Sequence, residues 1–169
     1  MGEASFKGKE VVLRKARIPE GRRIHALIGR SASKGLLLPR TLRDIYEHIR
    51  DFLVCELDGR IIGCCALKIS WEDLGEIRSL VVEEGYRGMG IGKMLVVRSL
   101  EEARDLGLKK VFALTRDPEF FEGLGFKRVE KSSLPHKIWR DCVRCPRFFD
   151  CDEVAVEVEI GDEWEGTVG

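Results

Sequence analysis

The amino-acid sequence predicts a single domain of the α/β class. Short segments in which apolar and polar residues alternate, as in strands, are interleaved with segments whose apolar residues recur every three or four positions, as in helices. The chain has 169 residues, a length that suits one domain with a full core. We expect this domain to span residues 1–160 and to be followed by a disordered tail over residues 161–169.

Two helices are predicted in the first third of the chain. Pro19 suits the first turn of a helix, and the following positions place three apolar residues on one face: Ile24, Leu27 and Ile28. A basic loop is expected over residues 29–40. Thr41 then precedes a second apolar stripe and is expected to cap its helix.

Strands are predicted before and after these helices. The pair Asp58-Gly59 is a two-residue turn signal, so its flanking strands are expected to form a hairpin. Later in the chain, Gly107 is expected to end a helix and Pro118 to begin another. The predicted strands cover residues 10–14, 52–57, 60–69, 76–82, 111–115 and 154–160.

Residues 76–93 carry the most specific signal in the chain. A strand runs through a short turn into a glycine cluster that opens a helix. Backbone N–H groups at a helix N-terminus are unpaired and carry the positive end of the helix dipole, so the turn is a predicted anion site. Arg87 and Lys93 flank it and add charge. The expected ligand is a phosphorylated cofactor.

Spacing excludes two common phosphate-binding loops. A P-loop needs glycine where Arg87 stands, and the dinucleotide-binding pattern needs glycine where Leu95 stands. What remains is Arg-x-x-Gly-x-Gly over residues 87–92, directly after a strand end at residues 80–82.

This motif resembles the acetyl-CoA signature of the GNAT superfamily of N-acetyltransferases, and the order of elements over residues 9–160 is similar as well. The resemblance implies the GNAT acyltransferase fold, with a mixed, mostly antiparallel sheet and helices on both faces. It also implies that the turn binds the pyrophosphate of acetyl-CoA while the preceding strand pairs with the pantetheine arm. The implied cofactor-binding residues are Leu80, Val81, Val82, Arg87, Gly88, Met89, Gly90, Ile91, Gly92 and Lys93.

Four segments are similar to a narrower branch, the short stand-alone amino-acid acetyltransferases of the N-acetylglutamate synthase type. They are residues 38–42, 71–74, 76–80 and 134–139. This resemblance implies acetylation of the α-amino group of an amino acid, with L-glutamate as the expected acceptor in arginine biosynthesis. The amine would attack the thioester directly in a ternary complex. Acetylation of a protein N-terminus or a polyamine stays open, as does a non-catalytic acetyl-CoA sensor.

Glu76 is the predicted general base, because the acceptor ammonium must lose a proton before it attacks and the family often has a carboxylate at the start of this strand. Strand alternation predicts that Glu76 shares a face with Arg78, Leu80 and Val82. The weaker candidates are Glu72 and Asp73.

The remaining catalytic roles are only partly assigned. The resemblance implies that a backbone N–H near Leu80 stabilises the oxyanion. Many members use a tyrosine as the general acid, but Phe121 stands at that position and cannot donate a proton. Thr115, a water molecule or Tyr86 are the substitutes.

A dicarboxylic acceptor would need paired cations, preferably arginines. Arg78 lies on the predicted catalytic face. The other predicted acceptor-binding residues are Arg30, Lys34, Arg40 and Arg116. A polyamine would instead need an acidic pocket, which the basic loop disfavours.

The six cysteines fall into two groups. Those in apolar strands are expected to be core residues: Cys55, Cys64 and Cys65. The others lie in a predicted insertion over residues 131–152, between the last two strands, where the donor set of a structural zinc occurs: His136, Cys142, Cys145 and Cys151. Free thiols and a labile disulfide are the alternatives. A zinc knuckle that binds nucleic acid through Lys137, Arg140, Arg144 and Arg147 is a further alternative.

Composition narrows the expected partners. Lysine plus arginine and aspartate plus glutamate each number 29, so the global charge favours neither nucleic acid nor an acidic membrane. No apolar run approaches the ~20 residues of a membrane span, and no signal peptide is evident. Six cysteines in that context predict a cytoplasmic location. The expected partners are a small amino-acid substrate and, as one option, a second copy of the chain.

Overall fold

The computed structural model describes residues 3–6, 8–134 and 152–161. These residues form an eight-stranded sheet with helices on both faces. The strands are β1 Glu3–Phe6, β2 Lys9–Lys15, β3 Phe52–Leu57, β4 Arg60–Trp71, β5 Leu74–Val82, β6 Lys110–Thr115, β7 Lys127–Val129 and β8 Val154–Glu159. The α-helices are α1 Gly21–Ser33, α2 Leu42–Glu47, α3 Ile91–Asp105 and α4 Pro118–Glu122. Short 3-10 turns cover Ile18–Glu20, Ile49–Asp51, Glu84–Tyr86 and Lys131–Ser133.

The sheet is mixed and mostly antiparallel, with the order β1-β2-β3-β4-β5-β6-β8-β7. β5 and β6 are the parallel pair, whereas the other described neighbours run antiparallel. A parallel pair needs a crossover connection, and α3 provides it. None of the described helices is long and apolar enough to cross a membrane.

The core has a layer on each face of the sheet. On one face, α3 packs through Leu95 and Leu100 against strand residues that include Ile77. On the other face, α1 and α2 pack through Ile24 and Ile45 against a separate set that includes Ala66 and Val81. The two sides of β5 therefore face different helices.

Most predicted turns and caps are confirmed. The Thr41 hydroxyl accepts a hydrogen bond from the backbone N–H of Asp44 at 3.0 Å, which caps α2. Asp58 and Gly59 have φ angles of +50° and +75°, as a tight hairpin requires. Gly107, at φ +91°, follows the end of α3.

The larger differences from the sequence prediction concern α1, β1 and β5. The predicted loop over residues 29–40 is wrong at its start, because α1 continues to Ser33. Burial of Ile28 and Ser31 outweighs the weak helix propensity of Gly29. β1 precedes the first predicted strand, and β5 begins at Leu74 because the hairpin turn before it is only two residues long.

A partly buried ion pair joins β2 to the start of α1. Glu20, whose side chain is 13% exposed, accepts hydrogen bonds from Arg14 Nη1 at 2.8 Å and from the backbone N–H of Arg17 at 2.7 Å. Arg14 also binds Glu56 on β3 at 3.0 Å. The hydrogen bond from Arg14 lowers the pKa of Glu20 more than burial raises it.

We expect Glu20→Gln to lower the free energy of unfolding by roughly 1.5–3 kcal/mol at neutral pH, since it weakens a charged hydrogen bond. A carboxylate whose pKa is lower in the folded state than in the unfolded state stabilises the folded protein at pH values above the unfolded pKa of about 4.3. This stabilisation is lost as the pH falls through the folded-state pKa. The difference in Tm between variant and parent, measured by thermal melts across pH, should therefore shrink in acid. Glu47→Gln breaks an exposed pair with Arg43 and serves as the control. A pH-independent loss in Glu20→Gln would contradict the ionic explanation.

Candidate active site

The N-terminus of α3 is open and rich in glycine. Gly88 and Gly90 adopt left-handed φ angles of +79° and +83°, a conformation that favours glycine. Gly90 is the N-cap residue, and no side chain in the described part of the chain donates or accepts a capping hydrogen bond there. A Cβ atom there would meet nothing within 4 Å, so the backbone angle rather than crowding requires glycine. The first-turn N–H groups are therefore available to an anion.

A gap opens between β5 and β6 beside this turn. The two strands pair only at Leu74–Lys110, Gly75–Val111 and Glu76–Phe112 in the described part of the chain. Beyond these pairs β6 continues along β8 as far as Thr115, while β5 continues to Val82 and the glycine turn. An unpaired strand edge presents N–H and C=O groups. The arrangement suits an extended ligand arm that hydrogen-bonds along β5.

A β-bulge interrupts β5 at Ser79. Its φ angle is +52°, and the pairing with β4 shifts by one residue between Ala66–Arg78 and Cys64–Val81. The Ser79 hydroxyl lies 3.4 Å from Arg40 Nη1, and its carbonyl lies 3.5 Å from Cys64 Sγ. A left-handed conformation costs a non-glycine residue about 1–2 kcal/mol, so these contacts hold a strained position.

The bulge corrects the predicted alternation along β5. Leu80 and Val82 pack with the α3-side core, to which Ile77 also belongs. Glu76 and Arg78, the neighbours of Ile77, therefore point to the other face. The prediction that these four residues share a single face is wrong, because the extra residue at the bulge reverses the alternation.

Glu76 and Arg78 share the α1–α2 face at the point where the gap begins. Glu76 is the last β5 residue paired with β6, and its side chain is only 12% exposed. Arg78 Nε lies 3.8 Å from Glu76 Oε1. The Glu76 carboxylate is therefore largely buried and lies beside the gap.

Arg40 lies on the same face. Its side chain is 10% exposed, its guanidinium stands 5.0 Å from the centre of the Phe52 ring, and its Nε donates to Asp44 at 2.6 Å. Burial alone would raise the pKa of Asp44, but the hydrogen bond from Arg40 and the nearby charges, including Arg78, lower it overall. Arg40 and Arg78 thus both act on Asp44 and form one cationic group.

The end of β6 contributes a hydroxyl and a cation. Thr115 Oγ1 accepts a hydrogen bond from the Asp117 backbone N–H at 2.9 Å, which leaves the hydroxyl proton available. Arg116 donates to the carbonyl of Gly35, and its Nε lies 3.0 Å from an Asp152 carboxylate oxygen. Arg116 therefore joins the α1–α2 loop to the start of β8.

Arg30 and Lys34 lie beside the end of β5, away from Arg40. Arg30 Nη1 is 3.5 Å from Glu83 Oε1, and Lys34 Nζ is 2.9 Å from Glu84 Oε2. Both cations line a cleft with Arg87 and the end of β5. The structure therefore groups these two predicted acceptor residues with the glycine turn.

The weaker base candidates lie far from the glycine turn. Glu72 and Asp73 form the exposed turn before β5, and β5 itself spans eight steps of about 3.3 Å, or roughly 26 Å.

Among the acid candidates, Tyr86 packs against the α3-side core. Phe121 is buried beside Phe126, with ring centroids 5.0 Å apart, so it is a core residue.

The predicted metal ligands lie outside the described residues: His136, Cys142, Cys145 and Cys151. Within residues 3–6, 8–134 and 152–161, no three His, Cys, Asp or Glu side chains form a group that could hold a metal ion. Cys55, Cys64 and Cys65 are buried, free thiols, as predicted. Burial raises the pKa of Cys55 to about 11, so it stays protonated at neutral pH.

Two features of the site have no clear sequence signal. The bulge depends on pairing between β4 and β5, and Ser79 is not a residue type that usually marks a left-handed position. Glu83 gathers three arginines from α1 and β4, yet in the sequence it is one of two acidic residues after a strand. That adjacent acidic pair is the signal that could have drawn attention to it.

Comparison with known proteins agrees with this geometry. Residues 26–126 match the family described as "Acetyltransferase (GNAT) family". A Chlorobaculum tepidum protein named uncharacterized N-acetyltransferase is 41% identical over 147 residues, which are 87% of this chain and 95% of that protein. A Mycobacterium tuberculosis protein named amino-acid acetyltransferase is 39% identical over 136 residues, which are 79% of this chain and 78% of that protein.

Solved structures are similar as well. N-acetylglutamate synthase from Neisseria gonorrhoeae, complexed with coenzyme A and N-acetyl-glutamate, superposes with a TM-score of 0.81 at 30% identity. The match covers 89% of this chain but only 35% of that chain. A Mycobacterium tuberculosis protein in complex with CoA gives 0.75 at 34% identity and covers 88% and 98% of the two chains. The predicted fold and the resemblance to the N-acetylglutamate synthase branch are confirmed.

We expect Gly90→Val to abolish CoA binding, because valine strains the left-handed N-cap and its side chain obstructs the approach of a phosphate to the backbone. Isothermal titration calorimetry with CoA measures this directly. Gly85→Val is the matched control, since Gly85 has open space around it and no positive φ angle. Unchanged CoA affinity in a folded Gly90→Val protein would exclude the turn as the binding site.

Proposed function

This chain belongs to the acetyltransferase (GNAT) family, and from that premise we propose that it transfers the acetyl group of acetyl-CoA to the α-amino group of an amino acid, with L-glutamate as the preferred acceptor. One observation carries the proposal: the gap between β5 and β6 has the glycine turn at one end and the Glu76–Arg78 pair at the other. A thioester arm laid along β5 would bring its acetyl group towards that pair.

The cofactor half of the proposal is supported by local geometry. The turn offers N–H groups from the start of α3 that no described side chain caps, and β5 offers an edge that no described strand pairs beyond Glu76. Both suit a phosphorylated cofactor with an extended amide-containing arm, as in acetyl-CoA. The implied contacts include the backbone of Val81 and Val82 together with Met89 and Ile91.

The chemical step has a base candidate in Glu76. It would accept a proton from the acceptor ammonium, after which the amine lone pair attacks the thioester carbonyl. The oxyanion would be stabilised by a backbone N–H near Leu80. Collapse of the tetrahedral intermediate breaks the C–S bond and expels the CoA thiolate. The nitrogen loses its remaining extra proton to leave the neutral amide, and Thr115 or a water molecule would relay a proton to the thiolate.

Acceptor recognition is assigned to the cations on the α1–α2 face. Arg78 and Arg40 lie beside Glu76 and Ser79, and guanidinium groups bind carboxylates through paired hydrogen bonds. Arg116, at the end of β6, is a third candidate. Each of these arginines also contacts a carboxylate of this chain, so their guanidinium donors, rather than a net positive charge, favour a dicarboxylate over a polyamine.

The relatives support an amino-acid acceptor. The Mycobacterium tuberculosis relative carries the name amino-acid acetyltransferase, and the Neisseria gonorrhoeae structure contains N-acetyl-glutamate. Because this chain spans only about a third of the latter protein, the glutamate preference and a place in arginine biosynthesis remain proposals. A homodimer, a structural zinc and a cytoplasmic location remain predictions from the sequence.

We expect Glu76→Gln to lower kcat by about a hundredfold or more, because it removes the base, while CoA affinity stays unchanged. Thiol release with acetyl-CoA and glutamate measures kcat, and calorimetry measures the affinity. Glu72→Gln, in the exposed turn before β5 and far from the glycine turn, is the control and should retain activity. A loss below about threefold in Glu76→Gln across the pH profile would assign proton removal to another group.

Glutamate should be acetylated faster than alanine, lysine or spermidine in a thiol-release assay against all twenty amino acids and polyamines. Arg78→Ala should raise the KM for glutamate by tenfold or more and leave the KM for acetyl-CoA nearly unchanged, since an unpaired carboxylate in the pocket is costly. Arg43→Ala, on the exposed side of α2, is the control. Equal use of glutamine would mean that only the α-carboxylate is recognised, and preference for a cationic amine would refute amino-acid acetylation.

A further inference from the structure

A cluster of cations lies between α1 and the end of β5. Three of its arginines converge on one carboxylate oxygen, Glu83 Oε1: Arg60 Nη2 is at 2.6 Å, Arg23 Nη2 at 3.1 Å and Arg30 Nη1 at 3.5 Å. The Glu83 side chain is 13% exposed. Its second oxygen is buried and has no hydrogen-bond partner among the described residues.

Two further cations extend this cluster to the glycine turn. Lys34 pairs with Glu84 at 2.9 Å, and Arg87 Nε donates to the Val82 carbonyl at 3.1 Å. Arg30, Lys34 and Arg87 line the same cleft. Part of the cluster therefore shares a cleft with Arg87, the residue that directly precedes the glycine turn.

The cluster carries more positive charge than its own carboxylates neutralise. Five cations share Glu83 and Glu84, which leaves an excess of three positive charges. The whole chain has a net charge of zero, so this excess is local. Glu83 holds the arginines together against their mutual repulsion and pre-arranges them for a multiply charged anion.

The cluster is too far from the proposed base to bind an amino acid whose amine is reacting. Val82 lies six residues beyond Glu76 on β5, which corresponds to roughly 20 Å of strand. An amino acid is much shorter than that. The anionic groups of the proposed ligand that can lie beside Val82 are the phosphates of the cofactor.

We propose that Arg30 and Lys34, with the Glu83-bound arginines behind them, form a second phosphate subsite for the nucleotide end of acetyl-CoA. The subsite lies on the α1 side of the turn and adds charged side chains to the backbone N–H groups of α3. This inference rests on the proposed use of acetyl-CoA. It reassigns Arg30 and Lys34 from the acceptor to the cofactor.

The test is CoA binding to the full chain by calorimetry without an acceptor, at low and at physiological ionic strength. The double variant Arg30→Gln/Lys34→Gln should weaken CoA binding by about tenfold to a hundredfold, since each charged hydrogen bond contributes substantially. The loss should be larger at low ionic strength. In steady-state assays, the KM for acetyl-CoA should rise while the KM for glutamate stays within about twofold.

A matched control separates local contacts from general charge. Arg43→Gln/Arg50→Gln removes two exposed cations from α2 and the turn after it, and should leave CoA affinity unchanged. If the first double variant has a lowered Tm, the single variant Lys34→Gln replaces it in the test. The Lys34 side chain is half exposed and lies at the end of α1.

Dephospho-CoA, which lacks the 3′-phosphate, identifies the phosphate that is bound. If the cluster binds the 3′-phosphate, the double variant loses affinity for CoA only; if it binds the pyrophosphate, affinity for both ligands falls equally. Either result supports the subsite. CoA affinity within twofold of the parent in a folded double variant would overturn it. A parent protein that binds no CoA would instead refute the proposed function.

Discussion

The parallel pairing of β5 with β6 ends at Glu76, and the rest of the site depends on this separation. A continuous pair would satisfy the backbone groups of β5 as far as Val82 and would leave no room for a ligand arm. Because β6 continues along β8 as far as Thr115 while β5 runs on to the glycine turn, no described strand pairs with this edge of β5 beyond Glu76. The same divergence places a carboxylate at the start of the gap and the N-terminus of α3 at its end.

The bulge at Ser79 divides β5 into two functional parts. Before it, Glu76 and Arg78 face α1 and α2; after it, Leu80 and Val82 pack towards α3. A regular strand would present all four side chains on one face, so that Glu76 and Arg78 would compete for space with the hydrophobic contacts of α3. The contacts of Ser79 with Arg40 and Cys64 hold this conformation. Arg40 thereby connects the α1–α2 face to the bulge in β5.

Positive and negative side chains are unevenly distributed in this chain, although its net charge is zero. Arg40 and Arg78 gather where an acceptor carboxylate would lie, and they are balanced by Asp44 and Glu76. The larger excess lies around Glu83, at the other end of the gap. A neutral protein can in this way carry two arginine-rich regions, of which only the one around Glu83 has an excess of positive charge, without attracting polyanions over its whole surface.

Local patterns in the sequence were sufficient to predict the class of fold, most elements and the glycine turn at the start of α3. Glycines at positions 88 and 90, the Asp58-Gly59 turn and the Thr41 cap act through their own backbone and nearest neighbours, so a short stretch of sequence contains the necessary information. The end of α1, the bulge at Ser79 and the partners of Arg30 could not be predicted in that way. Each depends on contacts between segments distant in the chain: burial of Ser31 against the sheet, the register of β4 with β5, and the approach of α1 to Glu83. Residue type thus indicated which side chains could bind anions, but tertiary packing assigned each of them to one end of the gap.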